Sequence, residues 1–273
     1  MKFKYLIIAF TIIISIVILV TALLPLLFNK VEYVVSFRYI SLPLLLLMAL
    51  LLTCMSIYFF INYRLFSLLE REDWPALAYY LEQKIYVKNQ YSERNVRLLA
   101  SSYLVISDFQ SVLKLEGKAI LAKPLVVNRN VLIFGTARIL SGNHTDAAAF
   151  FNSHMEKCEK KDEEWIHWFY GFSQLLNGDF NQAEPDFSTL ALSSKNVLIT
   201  GLSAYFLHNS MKKRSIDPDK CHEIAENGRQ RVINAVKTAR KWGKEADKVG
   251  AEIHIAIVRK YIDEAGKWLF NKD

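Results

Sequence analysis

Leu99-Ala100-Ser101-Ser102-Tyr103-Leu104-Val105-Ile106-Ser107-Asp108-Phe109-Gln110-Ser111-Val112 is the stretch on which the reading of the fold turns. A helix-like apolar run precedes Ser107-Asp108-Phe109 and another follows it, so the tripeptide marks a tight turn between two helices. Similar tripeptides stand at Glu72-Asp73-Trp74, Gly142-Asn143-His144 and Gly178-Asp179-Phe180, and the four starts are 35, 35 and 36 residues apart. The Asp or Asn at the second position can cap the helix that follows by accepting backbone N–H bonds. A second echo supports this, in three close copies: Asn95-Val96-Arg97-Leu98-Leu99-Ala100, Asn130-Val131-Leu132-Ile133-Phe134-Gly135 and Asn196-Val197-Leu198-Ile199-Thr200-Gly201. The last of these opens a more degenerate repeat, whose turn near His208 to Ser210 has lost the signature.

A period of about 34 residues with a small or polar residue, Asp or Asn, and an aromatic at the turn resembles the tetratricopeptide repeat (TPR). Around Asp108, Leu99, Ala100 and Tyr103 match the family's first helix, and Phe109, Ala119 and Pro124 its second. Around Asn143, Gly135, Ala147 and Phe151 match, while Arg138 stands where the aromatic is expected. Around Asp179, Tyr170, Gly171, Ala183 and Phe187 match; Gln174 departs, and Pro185 is expected to bend the second helix. The resemblance covers about residues 67–210 and implies an all-α chain of stacked helical hairpins, an α-solenoid in which the small residue lets two helices approach closely.

Working outward toward residue 1, two uncharged runs appear, about 5–28 and 39–63. Each reaches the roughly 20 apolar residues that a membrane-spanning helix needs. A cleavable leader starting at Lys2 and Lys4 is the competing reading, but the run exceeds a leader's apolar core and continues past Val20-Thr21-Ala22. The short connection makes the pair a hairpin, and Pro25 and Pro43 fall near its loop side. Lys2, Lys4, Arg64 and Arg71 flank the outer ends against Lys30 and Arg38 in the loop, so both termini are expected in the cytoplasm. No loop signal separates Tyr63 from Leu69. The second span is therefore expected to run on into the first repeat helix and couple the repeats to the bilayer. The expected domains are 1–63 for the hairpin, 64–210 for the repeats and 211–273 for a C-terminal capping region.

The net charge of +7 is spread: residues 1–63 carry four basic and one acidic side chain, 64–210 carry 15 and 16, and 211–273 carry 15 and 10. That mixture reads as solvated faces rather than a nucleic-acid surface, though a basic end near a bilayer can touch anionic headgroups. Cys54, Cys158 and Cys221 are isolated and make no disulfide framework. Asp217-Pro218-Asp219 opens a further helix. From Ala251 to Phe270 an amphipathic helix follows, with Ile255, Val258, Ile262, Ala265 and Leu269 on one stripe, suited to capping the last repeat.

TPR solenoids bind peptides on the concave face made by the first helices. By position, the resemblance implies a candidate partner groove of Arg94, Arg97, Ser101, Leu132, Thr136, Trp168, Phe172, Leu175, Leu198, Leu202 and Tyr205. The early part is basic and polar, the later part apolar and aromatic; an apolar patch of that kind is either an interaction site, or is filled by the C-terminal helix or buried by the curvature of the repeats. Catalytic motifs such as HExxH, GxSxG or a phosphate-cradling glycine loop do not occur, so no catalytic, cofactor or metal residue is assigned. His154 with Cys158, and Cys221-His222, are too isolated to read as metal ligands. Asp162, Glu163 and Glu164 read as a solvated connection. The expected function is a non-enzymatic, membrane-tethered scaffold or adaptor that binds other proteins, with no cofactor and no nucleic acid. The layout of a two-span anchor followed by repeats resembles the bacterial HemY family of the inner membrane, associated with haem biosynthesis. Val34-Val35-Ser36-Phe37-Arg38-Tyr39 resembles the hairpin of the lipopolysaccharide-assembly protein A family, which implies regulation of envelope assembly as the alternative. An accessory subunit of a membrane enzyme or transporter is a further one.

Overall fold

A computed structural model describes residues 3–27, 42–212, 214–250 and 252–270; the expected loop at 29–38 lies outside these. All regular structure among the described residues is helical, in fourteen α-helices. The chain divides into two compact units, Met1–Tyr80 and Leu81–Asp273.

The first unit holds α1 (Phe3–Leu27), α2 (Leu42–Glu70) and most of α3 (Trp74–Glu82). Among the described residues α2 is the one helix long and apolar enough to cross a membrane, with a mean hydropathy of 2.6 over its most apolar 18 residues. Many of its apolar side chains, among them Leu46, Leu50, Leu51, Phe60 and Ile61, are exposed, while Leu45 and Leu65 are buried. In water such a surface costs about 25 cal/mol per Å². The few polar groups turn inward on their own helix: Thr53 Oγ1 donates to the Ala49 carbonyl at 2.8 Å, Ser56 Oγ to Leu52 at 2.8 Å and Asn62 Nδ2 to Tyr58 at 2.9 Å. That is how a polar side chain is satisfied where no water is available. Over Ala9–Thr21 helix α1 is also apolar, and it packs on α2, with Thr11 and Ile12 sharing a cleft with Met55, Phe59 and Tyr63. Helix α2 passes Tyr63 without interruption and ends only at Glu70. The apolar run expected at 39–63 and the residues that follow it to Glu70 thus share one helix from Leu42 onward, and the two compact units meet inside α3.

The four turn tripeptides share one backbone conformation. Their first residues, Glu72, Ser107, Gly142 and Gly178, have φ of 53°, 59°, 79° and 87°. At each, the next residue's N–H reaches five residues back, Asp73 to Leu68, Asp108 to Tyr103, Asn143 to Arg138 and Asp179 to Gln174, at 2.9–3.2 Å. The turn residue's own N–H reaches three back. This pair of bonds is the Schellman ending, which satisfies carbonyls that a helix C-terminus leaves open. Glycine takes the left-handed conformation freely at 142 and 178; at 72 and 107 a side chain is held there at a cost of roughly 1 kcal/mol.

The second unit continues with a π-helical turn at Gln83–Val87, then α4 (Glu93–Val105), α5 (Phe109–Ala122), α6 (Pro124–Asn128), α7 (Val131–Leu140), α8 (His144–His154), α9 (Glu163–Asn177) and α10 (Phe180–Ser193). The last elements are α11 (Val197–Phe206), a second π-helical turn (Leu207–Met211), α12 (Pro218–Val236), α13 (Ala239–Val249) and α14 (Ile253–Phe270). Consecutive helices pair as hairpins: α4 with α5, α7 with α8, α9 with α10 and α11 with α12. The first members also touch in order, α4 on α7, α7 on α9 and α9 on α11. Small residues permit the pairing. A Cβ on Gly135 would lie 2.0 Å from the Phe151 ring, and one on Gly171 would lie 3.2 Å from Asp186. Helix α10 runs through Pro185 unbroken.

The C-terminal helices pack back on the hairpins: α14 lies against α7, α11, α12 and α13. Ile255, Val258, Ile262, Ala265 and Leu269 are all buried, as their stripe requires. Trp242 of α13 is the wedge. Its ring would meet a Cβ on Gly201 of α11 at 2.5 Å and one on Gly266 of α14 at 2.8 Å, and its Nε1 donates to the Ile262 carbonyl at 3.0 Å.

Candidate functional site

The residues expected to form a groove lie on α4, α7, α9 and α11, and the early and late ones have different fates. Taking the small residues Ala100, Gly135, Gly171 and Gly201 as equivalent, the residue three places earlier is Arg97, Leu132, Trp168 and Leu198; the residue one place later is Ser101, Thr136, Phe172 and Leu202. Arg94 is exposed, and Arg97, Ser101 and Leu175 are half-buried. Leu132, Thr136, Trp168, Phe172, Leu198, Leu202 and Tyr205 are buried. The later residues are therefore covered, not exposed.

Their cover is α14. Trp168 stacks on Phe172 at 5.0 Å and meets Phe169, Phe187 and Phe206 at 5.2–5.9 Å. Tyr261 of α14 closes on Phe172 at 5.7 Å and Phe206 at 5.1 Å. Tyr205 donates its hydroxyl to Glu264 at 3.0 Å, and burial with that carboxylate pushes its pKa up to about 12. At the start of α14, His254 sits edge-on to Trp165 and Phe169, 5.7 and 5.9 Å between centroids. Burial, helped by the Arg97 charge, pushes its pKa down to about 4, so the ring is neutral.

The open end is polar and internally braced. Arg97 donates to Asn130 Oδ1 at 3.1 Å, to Glu93 at 3.1 Å and to the Arg129 carbonyl at 3.3 Å. Arg129 bridges Glu93 and Glu159, each at 3.3 Å. Arg138, where the repeat pattern expects an aromatic, has a role of its own. It holds Glu116 through two bonds of 2.6 and 3.1 Å, Asp146 at 2.8 Å, and stacks 4.1 Å over Phe150. With side-chain exposures of 12% and 7%, the Arg138–Glu116 pair is a buried ion pair joining α7 to α5. The acidic run at 162–164 is not a uniformly solvated connection. Glu164 accepts from Ser194 Oγ at 2.8 Å and from the backbone N–H groups of Lys195 and Asn196 at 3.0 and 3.2 Å, which fixes the entry to α11.

Two histidine readings also resolve. His154 ends α8, its Nδ1 2.9 Å from the Phe150 carbonyl, while Cys158 lies beyond the helix and bonds Met155. His222 stands with Glu226 on α12 and is joined by His208 from the π-helical turn, their ligand atoms all within 4.8 Å of one another. Burial pushes His208 below the usual imidazole range. The sequence reading paired His222 only with Cys221; Glu226 follows one turn later on α12, and His208 is brought in by the packing of α12 on the turn.

A family profile described as an uncharacterised Treponema protein matches residues 111–271, and the chain belongs to that family. The match extends through the second half of the hairpins and the C-terminal helices without a break at 211. An uncharacterized protein of Treponema pallidum (strain Nichols) is 26% identical over 222 residues, covering 77% of this chain and 69% of the relative. No solved structure matches.

Proposed function

We propose that this member of the Treponema family is a membrane-anchored, TPR-like scaffold that gathers other proteins at the cytoplasmic face of the inner membrane. The observation that carries the reading is the first turn: the apolar helix α2 ends at Glu72 in the same Schellman turn that closes the hairpins at 107, 142 and 178. Anchor and repeat are written in one helix. In this reading α1 is the second arm of the anchor, both chain ends are cytoplasmic, and the stacked hairpins form a solenoid capped by α12 to α14. The work is binding rather than catalysis.

With α14 in the later groove, the partner-facing part is the α4 end, where Arg94, Arg97 and Ser101 offer charge and hydrogen bonds. Partners with acidic, hydrogen-bonding segments suit that face. The test is photo-crosslinking in intact cells from a crosslinking residue at Ser101, with Trp168 as the buried control. Reproducible protein adducts from position 101 and none from 168 are expected. Equal or absent labelling overturns the scaffold. A reporter fused after Asp273 checks orientation separately and should read cytoplasmic.

A further inference from the structure

We propose that His208, His222 and Glu226 form a binding site for a divalent transition-metal ion of the zinc, nickel and copper class. His222 and Glu226 are one helical turn apart on α12, which puts imidazole and carboxylate on one face. His208 comes from Leu207–Met211, where Lys212 N–H reaches back five residues to the Leu207 carbonyl at 3.0 Å. Such single π-helical turns cluster at functional sites because they aim one side chain away from the α-helical register.

The donor atoms lie within 4.8 Å of one another. A tetrahedral ion with bonds of about 2.0–2.1 Å asks for donors roughly 3.4 Å apart, so closure asks these donors to approach by about an ångström. The Nδ1 atoms of both His208 and His222 are buried and lack a hydrogen-bond partner. A buried ring nitrogen left unmade costs about 1–3 kcal/mol, and two in one cluster are what coordination through Nδ1 would satisfy. Glu226 sits 3.6 Å from Arg229, a long contact that leaves the carboxylate able to turn to an ion. Imidazole and carboxylate suit zinc, nickel and copper better than calcium or magnesium. Three protein ligands leave a fourth position for water or for a side chain of a bound partner.

The ion would pin the π-helical turn to α12. His208 also lies 5.1 Å from the ring of Trp268 on α14, so the pin sits beside the helix that fills the groove. That proximity supplies a readout: a bound paramagnetic ion quenches Trp268.

The experiment uses the full chain in detergent, purified with a tag free of histidine and stripped with a chelator. Zn²⁺ is titrated by calorimetry, Co²⁺ by its visible absorption, and Cu²⁺ by tryptophan quenching. Saturable one-to-one binding is expected. His222→Ala should weaken it by more than the roughly 10–100-fold that outer-shell substitutions cost. Glu226→Gln keeps the shape of the helix and should weaken it about tenfold or more. His167→Ala, a histidine paired with Asp186 on other helices, should leave it unchanged. The proposal is overturned if the wild type shows no saturable binding, or if Glu226→Gln and His222→Ala, folded by circular dichroism, bind Co²⁺ as the wild type does.

Discussion

Helices α4 and α9 end in the same turn, yet the face of α4 stays open and that of α9 and α11 is sealed. At equivalent positions the chain places Arg97 and Ser101 at the first end, and Trp168 and Phe172, then Leu198 and Leu202, at the other. Turn chemistry therefore sets the hairpin, while the inner-face residue decides whether a later helix can dock there. An aromatic or aliphatic inner face gains from burial under α14. An arginine would have to shed water for no matching partner, and remains at the rim with Glu93 and Asn130.

The contrast is broken most severely at Trp168. Trp168→Ala removes the largest fully buried side chain and should cost about 3–5 kcal/mol in urea unfolding of the full chain in detergent. Arg97→Ala, at the same repeat position, should cost about 1 kcal/mol or less because its charge is partly in water. Equal costs would mean that the two ends are packed alike.

Arg138 tests the seam between the ends. Removing it strands Glu116 in the interior, and Arg138→Met should cost about 3–5 kcal/mol. Adding Glu116→Gln should return much of that loss, since the unpaired charge is then gone. If the double variant is as unstable as the single, the cost lies in lost packing on Phe150 and not in the charge.

The sealed end should also respond to acid. The folded chain keeps His254 neutral down to about pH 4, whereas an unfolded histidine takes its proton near 6.5. Between those values the unfolded state binds more protons, so stability falls as pH falls, by on the order of 3 kcal/mol in total, and is flat above the window. His254→Gln should lack this component. Its difference from the wild type should shrink between pH 7 and 4.5; a difference that does not change with pH would sink the assignment.

Much of this was legible because some residues have only a few uses. A small or left-handed residue followed by Asp or Asn predicts the turn, and the four observed turns are alike down to their hydrogen bonds. Gly135 and Phe151 announce a close helix contact. The stripe from Ile255 to Leu269 announces a buried face, though not whether it meets the groove or merely the end of the stack. Other features were hidden by locality. Helix α13 is mostly charged, and nothing near Trp242 says that its ring belongs under Gly201. Glu164 looks like its acidic neighbours until its three donors from the α10–α11 connection are in place. His208 is fourteen residues from His222, and only the π-helical turn makes them neighbours.

The smallest test asks whether identical turns do identical work. Asp108 accepts from Ser111 N–H at 3.1 Å and Asn143 from Asp146 N–H at 3.2 Å. Asp179 stands at the same place in the motif but caps no backbone N–H; its carboxylate takes the Asn177 amide instead. Asp108→Ala should therefore cost about 1 kcal/mol, the usual worth of an N-cap, and Asp179→Ala less, because no helix donor loses its acceptor. Hydrogen exchange at the first turn of α5 against that of α10 reads the difference locally. If Asp179→Ala loosens α10 as much as Asp108→Ala loosens α5, the carboxylate acts on the helix through its charge at the N-terminal end rather than through a cap bond, and the two ends would then differ on the inner face alone.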